Sequence, residues 1–62
     1  MSLRKKLLET LKHHRWKTGL LNRYDCVHIL ANFDYQAETI GKKKAFQTAK
    51  ENIESEINQR TK

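Results

Sequence analysis

The chain has no proline, only two glycines and a single cysteine in its 62 residues. Without proline nothing breaks a helix from inside, and with so little glycine few turns of positive φ are available, so the composition favours long helices. A lone Cys26 excludes an internal disulfide framework. No apolar run approaches the roughly 20 residues of a membrane span. The opening stretch MSLRKKLLETLKHH is charged throughout and lacks the apolar centre of a signal peptide. A free thiol fits a reducing compartment, which sets the expectation of a cytoplasmic protein with no membrane partner.

Acidic residues are also scarce, but only at one end. Residues 1–24 hold seven Lys/Arg against one acid, Glu9, while residues 25–62 hold six of each sign. The whole net charge of +6 therefore sits in the first 24 residues. Such asymmetry points to an acidic partner at that end or, more blandly, to a solvated face.

The most apolar stretch long enough for a helix is Asn22–Phe33, NRYDCVHILANF. Cys26, Ile29, Leu30 and Phe33 share one face at helical spacing, and Tyr24, Val27 and Ala31 widen it. A helix apolar over that much of its circumference is expected to be wrapped by neighbours.

The helix before it should run over residues 3–17. Ser2 suits its N-cap, and Leu3, Leu7, Leu8 and Leu11, with His14, make its apolar stripe. Gly19 can take the left-handed position past its end, with Leu20 folding back. The next helix starts at once, with Asn22 as cap, Asp25 at the third position, and Leu21 and Cys26 at hydrophobic-staple spacing. The short connection implies an antiparallel αα-hairpin.

Residues 34–41, DYQAETIG, admit three readings: a continuation of the second helix, a new helix capped by Asp34, or a loop. A last helix is expected over residues 42–60, with Phe46, Ala49, Ile53 and Ile57 as its stripe and Asn58–Lys62 frayed. Ile40 falls out of phase with that stripe, which marks a turn at Gly41. The expected fold is a single all-α domain: a small three-helix bundle built on an N-terminal hairpin, with a longer C-terminal helix.

Little supports chemistry. His13, His14, Cys26 and His28 show no paired metal-ligand spacing, so no metal is expected. Cys26 and His28 fall on opposite faces, and the GKKK run lacks the spacing of a phosphate loop, so neither catalysis nor a cofactor is expected. The helix-turn-helix pattern fits at neither glycine.

The cations are the stronger lead. Lys5, Lys12 and Trp16 fall in one sector of the first helix away from the leucines, with Lys6, His13 and Lys17 alongside and Glu9 as the single acid. Trp16 either stacks outward or folds over the hairpin turn onto Leu20 or Leu21. Lys42, Lys43 and Lys44 open the last helix, and Arg4, Lys5 and Lys6 open the first; both placements oppose the helix dipole. A bound phosphate backbone would offset that cost.

Two functions are therefore expected. One is a small nucleic-acid-binding accessory or regulatory protein, DNA first. Its phosphate contacts would be Arg4, Lys5, Lys6, Lys12, Arg15, Lys17, Lys42, Lys43 and Lys44, with Asn22, Arg23 or Gln47 at base edges. The other is an inhibitor, adaptor or accessory subunit that docks on a larger protein through Trp16, Tyr24, Phe33 and Tyr35. A variant of it is a homodimer through the Phe46–Ile57 stripe.

Overall fold

A computed structural model describes residues 2–61. Three helices pack against one another: α1 (Leu3–Lys17), α2 (Arg23–Thr39) and α3 (Lys42–Arg60). No strand is present among the described residues.

The caps form where the sequence implies them. The Ser2 hydroxyl accepts the Lys5 backbone N–H at 3.2 Å. Past α1, Gly19 adopts φ +66°, and its N–H donates to the His14 carbonyl at 3.1 Å. At α2 the capping box closes in both directions. The Asp25 N–H donates to Asn22 Oδ1 at 2.8 Å, and the Asn22 N–H donates to Asp25 Oδ2 at 3.1 Å.

Residues 34–39 continue α2 as helix; the chain turns only at Ile40 and Gly41. Gly41 sits at φ 99°, ψ 154°, a conformation essentially reserved for glycine. It serves as the N-cap of α3 with no side chain to bond the first-turn N–H groups.

Leu7, Leu11, Leu21, Ile29, Phe33, Ala45, Ala49 and Ile53 form the core. Leu3, Cys26, Leu30, Ala37, Phe46 and Ile57 pack on it half-buried. Leu8 and His14, at the margins of the α1 stripe, are also half-buried. Ala45 is fully buried while its bulkier neighbour Phe46 is not. Small residues at positions 45 and 49 face the centre, where helices can approach closely.

Three expectations need correction. α2 is not wrapped on most sides, because two neighbours cover only one face of a helix. Tyr24 and Val27 are 73% and 61% exposed, and Ala31 is exposed too. The stripe expected to mediate a homodimer is occupied within the chain: Ala49 and Ile53 lie in the core, and Lys50 Nζ sits 5.7 Å from the centre of the Phe46 ring. The end of α3 does not fray before Arg60, whose guanidinium is anchored. Its Nη1 donates to the Leu20 carbonyl at 2.8 Å, and Nη2 donates to Asp25 Oδ1 at 3.1 Å. Lys62 lies outside the described residues.

Candidate nucleic-acid interface

Two tertiary ion pairs fix the helix directions. Arg4 Nε meets Asp34 Oδ1 at 3.0 Å, so the start of α1 lies beside the later part of α2. Arg60 meets Asp25, so the end of α3 lies beside the start of α2. The bundle is therefore up–down–up. The N-termini of α1 and α3 share one pole, on directly packed helices whose axes are expected about 8–10 Å apart.

This pole gathers Arg4, Lys5, Lys6, Lys42, Lys43 and Lys44. Neither helix has an acid in its first turn. Arg4 is engaged by Asp34; the five lysines have no ion pair among the described residues. Successive helical residues are about 100° apart, so Lys42–Lys44 fan around most of the start of α3. Five residues of α2 follow Asp34 before the turn, a rise of about 7 Å, so this tip stands roughly one turn beyond Arg4. The helix N-termini add their own partial positive charge and free N–H groups, those of α3 without a side-chain cap.

Lys12, Arg15 and Lys17 do not join the pole. They lie along the distal half of α1, where Lys17 and Arg15 suit the negative end of the helix dipole. Trp16 does not fold over the hairpin turn; it is 86% exposed. Leu21, in the turn itself, is the residue buried in the core. An open groove of about 600 Å³ runs past the indole, edged by Lys12, Arg15 and Lys17.

Two of the residues expected at base edges, Arg23 and Gln47, are exposed. The third, Asn22, holds the cap of α2 with its side-chain oxygen. Of the expected docking aromatics, Tyr24 and Tyr35 are exposed, at 73% and 68%, whereas Phe33 is a core residue. With Val27 and Ala31 the two tyrosines line one outward face of α2, flanked by Asp34 and Glu38.

Another groove, of about 510 Å³, lies between α2 and α3. Its one arginine, Arg60, is held by Asp25 and by Glu56 at 3.2 Å. The Arg60 hydrogen bonds hold the Asp25 carboxyl below its usual range, and the Asn22 N–H adds to that. Burial pushes the Cys26 thiol up, away from the reactive thiolate.

Comparison with protein-family models, with curated proteins and with solved structures finds no match to this chain. Its function therefore has to be read from its own surface.

Proposed function

We propose that this protein is a small, non-enzymatic accessory or regulatory protein that binds nucleic acid, DNA first, in the cytoplasm. The observation that carries the reading is the pole: two helix N-termini side by side, five lysines without ion pairs among the described residues, and no first-turn acid. A fold gains nothing from that arrangement. Cations at helix N-termini are unfavourable by roughly 0.3–1 kcal/mol each at low salt. A phosphate backbone reverses the sign, because it meets both the lysines and the helix N–H groups. Such contacts give affinity and orientation without choosing a sequence.

The test is a salt titration of binding to a mixed-sequence DNA duplex, followed by anisotropy of the labelled DNA. Each phosphate neutralised contributes about 0.9 to the slope of log K against log salt. Changing Lys42, Lys43 and Lys44 together to Ala should weaken binding and lower that slope by between about 2 and 3. Absence of binding to duplex and to single-stranded DNA alike, even at low salt, would sink the reading.

A second reading is favoured by the outward face of α2. Tyr24, Val27, Ala31 and Tyr35 form an apolar stripe at helical spacing that no part of the described chain covers. With Glu38 beside it and Asp34 already paired to Arg4, it suits an apolar groove on a larger protein. The two surfaces lie on different helices, so one molecule can use both. Tyr24→Ala with Tyr35→Ala should leave DNA binding intact and remove only the protein contact.

A further inference from the structure

We infer that the outer face of α1 is a stacking subsite for an unpaired base, so that the preferred ligand is a single strand of nucleic acid. This rests on the nucleic-acid reading above and extends it from phosphates to bases.

Trp16 is the largest side chain in the protein, and 86% of it faces solvent. An indole stabilises a fold only where it is buried, and this one contributes almost no burial. Its surroundings indicate what it faces. Lys12, His13, Arg15 and Lys17 line the same groove, with Glu9 as the one acid. A cationic rim disfavours the cationic ligands that aromatic boxes take. It favours a ligand that is both aromatic and anionic, which describes a nucleotide.

The geometry selects a strand over a duplex. Trp16 stands on a convex helix, with one open groove beside it. Bases inside a duplex are stacked on both faces, and an indole on a ridge reaches them only by prising them apart. A single strand offers free base faces and stacks on exposed aromatics without regard to sequence. The strand also has a track to follow. Lys5, Lys12 and Trp16 fall within one narrow sector of α1. From Lys5 at the pole to Trp16 the helix rises about 16 Å. Backbone phosphates meet Lys5 and Lys12 while a base lies on the indole. Glu9 interrupts that track between the two lysines and opposes phosphate there.

The test uses the full chain with three probes: oligothymidylate, a long mixed-sequence duplex and thymidine monophosphate. Trp16 is the only tryptophan, so its emission reports the subsite directly. Oligothymidylate should quench that emission on saturation. Trp16→Ala should weaken oligothymidylate binding by about tenfold and duplex binding by less than about twofold. Its salt slope should stay unchanged, because no charge is removed. Trp16→Phe should recover most of the loss, and Glu9→Gln should tighten strand binding by about threefold. Thymidine monophosphate should bind far more weakly than the strand.

Different failures point to different errors. Oligothymidylate that binds without quenching, or binds Trp16→Ala as well as the parent, overturns the stacking subsite and leaves the phosphate-gripping pole standing. Monophosphate binding as tight as the strand replaces the strand by a free nucleotide. If neither duplex nor strand binds at low salt, the nucleic-acid reading falls, and the subsite with it. Trp16 takes no part in the core, so unchanged helicity by circular dichroism will separate loss of binding from loss of fold.

Discussion

At the scale of single residues, the most consequential contact is Arg60 with Asp25. The guanidinium spans three partners at once: the Asp25 carboxylate, the Glu56 carboxylate and the Leu20 carbonyl. A fork of donors makes this possible, and a lysine has none. Arg60→Lys should therefore lower the melting temperature almost as far as Arg60→Ala. The pair also gives stability a pH dependence. The folded state holds the Asp25 carboxyl below its ordinary value of 3.8, chiefly through the Arg60 hydrogen bonds. The contribution is fully present above the unfolded value and is lost as pH falls through the folded one. Melting followed from neutral pH to below 3.8 should show this loss. Asp25→Asn should flatten that acid limb and already melt lower at pH 7. An unchanged limb would assign the acid sensitivity to other carboxylates. None of this pairing is legible in the sequence, because the partners lie 35 positions apart and each has a local reading. Asp25 reads as a capping residue, and Arg60 falls in the stretch expected to fray.

At the scale of helices, the two glycines differ in what they permit. Gly19 has φ +66°, a region that asparagine also visits. Gly41, at φ 99° and ψ 154°, sits where side chains are excluded. Beyond the adjoining residues, no atom lies within 4 Å of a Cβ added at either position, so backbone conformation sets the cost. Gly19→Asn should be nearly neutral, whereas Gly41→Asn should cost of the order of 1–3 kcal/mol in chemical denaturation. Equal costs would mean that the two turns are not distinguished by backbone strain. These punctuation points are why the helices are readable in advance. Ser2, Gly19, Asn22 and Gly41 act locally, through bonds three to five residues long. The end of α2 is harder to read, because Asp34–Glu38 is polar and faces both a neighbour and water. Ala45 is missed for a related reason: hydropathy favours Phe46 beside it, while close helix approach favours the smaller side chain. The lysine tip of α3 belongs to this scale too. Lys42, Lys43 and Lys44 changed to Ala should raise the melting temperature at low salt while weakening DNA binding. A variant that loses both would show that the lysines support the fold.

At the scale of the whole molecule, the pole exists only while α1 and α3 are held side by side. Its two halves are separated by some 35 residues of chain, and a short hydrophobic core keeps them together. At roughly 0.05–0.15 kcal/mol per residue, a chain of this length has a total stability of about 3–9 kcal/mol. Leu11 is fully buried at the centre. Leu11→Ala removes about 2–5 kcal/mol, a large share of that total. The variant should melt early and broadly by circular dichroism. A ligand that recognises the assembled pole binds only the folded state, and at a hundred times its dissociation constant it restores about 2.7 kcal/mol. Saturating DNA at low salt should therefore recover most of the helical signal of Leu11→Ala. The lysine-tip variant, combined with Leu11→Ala, should recover much less. The unfolded chain carries the same net charge of +6 as the folded one. DNA that binds Leu11→Ala without refolding it would thus be held by charge alone, and the arrangement of the helices would be irrelevant to binding. Refolding, in contrast, requires that the partner distinguish lysines gathered at one end of a bundle from lysines strung along a chain.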